Sequence, residues 1–169
     1  MFLCFFSIIS TNDDIDNTLE ELSLYWNDDR FVVDTFVLKT IKRFEEKNGS
    51  AQPLLDEYRS ADDKNFAINL FRNAIDNCEE YRGYMQSVSQ NWDISRLSTM
   101  DIVLLQLAIA EMLTFPEIAV QVTINEFIDL AKMYSTPKSS GYINGMLDTI
   151  ARMLHEKGLM LKPVGRKNL

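Results

Sequence analysis

Histidine is the scarcest reactive side chain in this 169-residue chain, with His155 standing alone beside Glu156. A single imidazole at the end of an apolar-periodic stretch fits a favourable contact with a helix dipole and has no partner for acid–base or nucleophilic work. Cysteine is almost as rare. Cys4 and Cys78 fall inside apolar helical patterns rather than at a paired spacing, so the reading is a reduced, cytoplasmic protein without a disulfide framework. The chain has no Gly-x-Ser-x-Gly elbow, phosphate-binding glycine loop, Cys-x-x-Cys pair or His-Glu-x-x-His helix. Catalysis is therefore the weaker class, and no cofactor is expected. The acids Asp28, Asp29 and Asp34 lack the alternating carboxylates, central glycine and closing glutamate of a calcium loop, which leaves them as solvated helix caps and no metal site.

Long apolar runs are missing too. Residues 1–9, MFLCFFSII, have no basic residue before them and fall far short of the roughly 20 apolar residues of a membrane span. Neither a secretory signal nor a membrane anchor fits, and the run reads as a buried helix fragment. A new start inside a longer parent chain would explain its abrupt opening, and its unpartnered apolar surface would then favour a homo-oligomer. No strand-like alternation of useful length and no internal repeat is present.

What the chain does have is a composition suited to a folded core: 46% apolar and 25% charged residues, with six glycines and four prolines. The net charge of −8 argues against a general nucleic-acid binder. Its distribution is uneven, however. Up to Ser95 there are 9 Lys and Arg against 18 Asp and Glu, whereas from Arg96 onward there are 8 against 7. A surface that meets phosphate therefore belongs in the C-terminal half, and the acidic half faces a basic protein or solvent.

Taken in order, Asn12-Asp13-Asp14 is a polar turn able to cap a helix over residues 15–26 with Leu19, Leu22 and Trp26 inward. Val33, Phe36, Val37, Thr40, Ile41 and Phe44 mark a second amphipathic helix that Asn48-Gly49-Ser50 stops. Lys39, Lys42, Arg43 and Lys47 lie mostly on its other side, a basic face that would touch RNA or, with Glu45 and Glu46 interrupting it, be simply solvated. A helix over residues 64–79 should bury Ala67, Leu70, Phe71, Ala74, Ile75 and Cys78, with Ser60 to Asp63 supplying its cap. Tyr81, Tyr84, Met85 and Val88 continue as another helix after a break in phase, and Trp92 and Leu97 should be buried in a connector.

The stretch of residues 101–154 is the most strongly patterned. Ile102, Leu105, Ala108, Ile109 and Met112 keep helical spacing until Phe115-Pro116 breaks it, and Ser98 is placed to cap this helix together with Asp101. Thr123 and Glu126 read as a capping box opening the next helix, whose apolar side is Ile124, Phe127, Ile128, Ala131 and Tyr134. After Ser135-Thr136-Pro137, a third helix carries Ile143, Met146, Leu147, Ile150, Met153 and Leu154. Beyond it, residues 157–169, with Lys162, Arg166 and Lys167, read as a basic flexible tail.

Asp101, the run from Leu105 to Glu111, Ile124-Asn125-Glu126, Leu130-Ala131-Lys132, Tyr134 and Asn144-Gly145-Met146-Leu147-Asp148 stand in one order. In that order and spacing the stretch resembles the C-terminal half of the NusB family of transcription antitermination factors. Tyr25-Trp26-Asn27-Asp28-Asp29 and Ser135-Thr136-Pro137-Lys138-Ser139 also resemble the long Bacteroidetes-type homologues, which carry extra sequence before the shared domain. The resemblance implies an all-α protein: a NusB-like helical bundle over residues 63–156, an acidic helical extension over residues 1–62, and the basic tail.

It further implies an adaptor that pairs with NusE, a ribosomal protein, and binds single-stranded boxA-type RNA of nascent ribosomal transcripts within the RNA polymerase antitermination complex. Asp101 would then stand at the family's acidic position facing the basic partner, its alternative being a helix cap. Residues 135–142 match the family segment that approaches RNA. Lys138 and Lys132 would neutralise phosphates, Ser139 and Ser140 would donate to phosphate oxygens, and Tyr142 would stack on a base or else pack in the core. Glu111, Asn125, Glu126, Asn144 and Gly145 belong to the family signature, the last four as residues that hold the loop in place. One departure stands out: family members begin with an arginine-rich helix, whereas here the first basic residue is Arg30. Two other readings remain, an accessory domain of an rRNA methyltransferase and a protein-interaction module without RNA binding.

Overall fold

The fold is all-α in the computed structural model, which describes residues 12–23, 26–88 and 97–162. The readings of residues 1–9, Trp92, Arg166 and Lys167, and of the Trp26 side chain, lie outside the described residues. Two compact units divide the chain, Met1–Arg59 and Ser60–Leu169, where the sequence placed the division after residue 62. No described helix is long and apolar enough to cross a membrane.

In the first unit, Asn12 caps α1 (Asp13–Leu22) by accepting from the Ile15 amide at 3.1 Å. Next comes α2 (Trp26–Lys42), which is shorter than its apolar pattern suggests. Gln52 supplies the reason. Its side-chain oxygen accepts from the Glu45 amide at 3.1 Å and from Asn48 Nδ2 at 3.0 Å, and its amide nitrogen donates to the Arg43 carbonyl at 3.4 Å. These bonds tie off the chain into a 3-10 turn, Glu46–Ala51, within which Gly49 takes a positive φ of 49°. Leu22, Val33, Phe36 and Phe44, expected on inner faces, are exposed. Periodicity identifies the apolar face of a helix, but only a facing surface buries it.

The second unit holds the core. Ser60 caps α3 (Ala61–Asp76) through the Asp63 amide, and Asn77 separates it from α4 (Cys78–Ser87), which buries Tyr81 and Met85. Then follow α5 (Thr99–Thr114), α6 (Val120–Tyr134) and α7 (Ser139–Glu156). Helix α5 is the centre, packing against α3, α4, α6 and α7. Leu105, Ala108 and Ile109 on it are fully buried, as are Met146, Leu147 and Ile150 on α7. Gln106 Nε2 donates to the Ala74 carbonyl at 2.6 Å and Phe66 meets Phe115 with ring centroids 4.5 Å apart, so α3 runs antiparallel to α5. That contact uses Ala74 and Leu70, a narrower stripe than expected, and it leaves Phe71 and Ile75 exposed.

Two expectations for this unit are corrected. Helix α6 does not open at Thr123 with a capping box. It opens at Val120, which is 2% exposed, and the amides of Val122 and Thr123 both donate to the Ala119 carbonyl. Thr123 is therefore inside the helix and fully buried without a hydrogen-bond partner for its hydroxyl, and Glu126 is exposed. Burying the valine outweighs the side-chain cap.

Nor do residues 157–162 fray. The Leu159 amide donates to the Leu154 carbonyl at 2.9 Å and the Gly158 amide to the His155 carbonyl at 3.0 Å, a Schellman ending with Gly158 at φ 69°. The reversal buries Met160, and Lys162 Nζ reaches the Glu111 carbonyl at 3.4 Å. Residues 158–162 thus form a strap across the C-terminal end of α5.

Candidate functional site

The candidate site is the turn between α6 and α7, built from the backbone outward. Helix α6 ends at Ser135, whose amide still donates to the Ala131 carbonyl, and the Ser139 amide closes the next turn on the Thr136 carbonyl at 2.9 Å. Pro137 fills the bend between them, where its fixed φ favours turn geometry and its missing amide costs nothing.

Beneath this turn lies a polar knot. Asp101, 4% exposed, forms a capping box with Ser98: the Asp101 amide donates to Ser98 Oγ and the Ser98 amide to Asp101 Oδ2, both at 3.1 Å. The other carboxylate oxygen accepts from the Ser135 hydroxyl at 2.6 Å. Ser139 Oγ lies 3.0 Å from Ser135 Oγ and 2.8 Å from Thr136 Oγ1. Burial by itself would raise the Asp101 pKa, but hydrogen bonds from Ser135, Ser139 and Ser98 outweigh it and hold the carboxyl below its ordinary value. The ionised acid thereby joins the start of α5 to the end of α6 and the start of α7. Lys138 sits between these anchored serines on the exposed side, and no ion pair among the described residues engages it.

The residues singled out by sequence separate into distinct environments. Lys138 is exposed and Ser140 half-buried at the turn, whereas Ser139 is buried within the knot. Tyr142 is half-buried and packs against the core cluster. Lys132 is exposed but bonded to Asp129 at 2.7 Å, which offsets part of its charge. Asp101 has the capping geometry, with its acceptors engaged from within the chain. Asn125 accepts from Gln121 at 3.2 Å and is exposed, as are Glu126 and Asn144. Gly145 is half-buried, and its carbonyl accepts from Thr149 at 2.8 Å.

Glu111 is 7% exposed and shares its surroundings with Lys162. Burial lowers the Lys162 pKa, while the carboxylates of Glu111 and Glu117 pull it upward without cancelling that effect. The sequence placed Ser135 and Thr136 in the segment that ends the helix and approaches RNA, but not the hydroxyl contacts by which they carry the knot. The one local sign was the four-residue spacing of Ser135 and Ser139 around a proline.

Comparison with known proteins identifies the family. The NusB family model matches residues 30–152, a span that reaches into α2 and takes in the rest of both units' helices but α1 and the last turn of α7. Transcription antitermination protein NusB of Salinibacter ruber is 36% identical over 134 residues, covering 75% of this chain and 82% of its own. The Geobacter sulfurreducens protein of the same name is 37% identical over 116 residues, covering 65% and 84%. Among solved structures, T. maritima NusB superposes with a TM-score of 0.53 at 35% identity, over 58% of this chain and 69% of that one. With most of its length matched and its patterned helices gathered around one core, the chain belongs to the NusB family of non-enzymatic transcription antitermination factors.

Proposed function

We propose that this chain is an adaptor that holds the ribosomal protein NusE on one surface and single-stranded boxA-type RNA at the turn between α6 and α7, within the RNA polymerase antitermination complex. The observation that carries the reading is the contrast at that turn: Lys138 is exposed, with no ion pair among the described residues, between two serines locked to a buried carboxylate. A cation displayed on a fixed turn loses little freedom when it meets a phosphate, and such contacts position a strand rather than read it. Asp101 contributes from beneath, by ordering the turn. Two modest contacts, one to protein and one to RNA, add on a shared scaffold because the second becomes intramolecular.

Filter binding with and without NusE tests this. The chain alone should hold boxA-type RNA weakly, and NusE should tighten the complex. Lys138→Glu should reduce RNA binding by the complex while leaving its helicity unchanged. Unaltered affinity at low salt, or tight and salt-sensitive binding by the isolated chain, would count against the reading.

A further inference from the structure

The first unit contains a cleft of about 530 Å³ between α2 and residues 55–59, within the roughly 300–1,000 Å³ range of small-ligand clefts. Lys39 near the end of α2, Arg43 just beyond it and Arg59 all line it. No ion pair among the described residues engages these three cations. Two aromatic side chains complete the walls. Lys39 Nζ lies 5.8 Å from the Phe36 ring centroid, a cation–π contact that holds the ammonium at the cleft, and the half-buried Tyr58 also lines it. Asp56 and Glu57 also line the cleft, so it is not a bare anion trap. Ionised carboxylates only accept hydrogen bonds, so they favour a ligand that brings amino donors along with its negative charge.

Phosphate, a flat ring and an exocyclic amine occur together in nucleotides, and three cations spread along one cleft suit a strand with several phosphates. We propose that this cleft is a second contact for single-stranded RNA. Its three cations take phosphates, Tyr58 stacks on one unpaired base, and Asp56 and Glu57 accept from amine-bearing bases such as cytosine. The inference rests on the reading that the chain meets RNA, but it uses a unit and residues separate from the α6–α7 turn. It also gives the acidic half a nucleic-acid role despite its net charge, because three cations without an ion pair among the described residues are concentrated in one concavity.

The test uses the full chain with short oligocytidylate and oligouridylate, titrated over a range of salt, with circular dichroism confirming helicity for each variant. Oligocytidylate should bind more tightly than oligouridylate. The pair Lys39→Ala and Arg43→Ala should flatten the log–log salt slope by about 1.4, from about 0.7 per phosphate contact on a single strand. Tyr58→Ala should weaken binding on the order of tenfold, and Tyr58→Phe should keep it. An unchanged salt slope, or identical behaviour of Tyr58→Ala and Tyr58→Phe, overturns the inference. Displacement of RNA by polyglutamate to the same extent in the parent and in Tyr58→Ala would mark a protein-facing cleft and overturn it as well. Lys138→Glu, measured alongside, separates the two RNA readings. Loss with Lys138→Glu alone overturns the cleft and leaves the turn standing, while loss with the Lys39, Arg43 and Tyr58 variants alone supports the cleft and removes the turn.

Discussion

A buried carboxylate with a lowered pKa ties residue chemistry to the shape of the site. Asp101→Ala removes the acceptor for Ser135 and half of the capping box with Ser98. Each hydrogen bond to a charged group contributes about 1.5–3 kcal/mol and a cap about 1 kcal/mol. Urea unfolding should therefore show a loss of roughly 2–4 kcal/mol. Because folding lowers this pKa, the stabilisation is complete above the ordinary aspartate value and fades as pH falls through the folded one. Asp101→Asn should accordingly lose most at neutral pH and converge with the parent in acid. An equal deficit at pH 7 and at pH 2 would refute the assignment. The Ser98–Asp101 half of this knot was legible in the sequence, since a cap and its third residue are local. The Ser135 half was not, because it joins residues far apart in the chain. Thr123 and Glu126 show the opposite failure: the cap spelling is present, but the burial of Val120 starts the helix earlier.

Among the elements, α5 was the easiest to read and the end of α7 the hardest. Leu105, Ala108, Ile109 and Met112 keep a helical period, and each is at most 1% exposed. On α3 the same kind of pattern misled, since Phe71 and Ile75 are apolar in sequence but exposed in the fold. Beyond α7, a run of basic residues suggested fraying, yet Gly158 was the overlooked signal. A glycine just past a helix end permits the left-handed residue that a Schellman ending requires. Gly158→Ala leaves open space around the new methyl but retains φ 69°, so strain alone should cost about 1–2 kcal/mol, read as a lower urea midpoint. No change in midpoint would mean that the strap adds nothing to stability.

Across the whole molecule, the two units differ in what they bury. Every buried residue among those described lies in the second unit, while the first carries exposed Val33, Phe44 and Leu54. Hydrogen exchange should therefore find α5 amides protected near the global limit and α1 and α2 amides exchanging orders of magnitude faster. Uniform protection would contradict this division. The apolar patterns of the first unit made its helices legible but not the exposure of its described apolar residues, because a pattern on one helix says nothing about what lies opposite. The strap at residues 158–162 carries a further consequence for how the protein is made and lost. These residues leave the ribosome after the described helices that they cover, so the floor beneath Met160 stays wet until the strap itself has been made. A protease that clips after Lys157 would re-open that floor, and the shortened chain should aggregate on warming although every described helix remains.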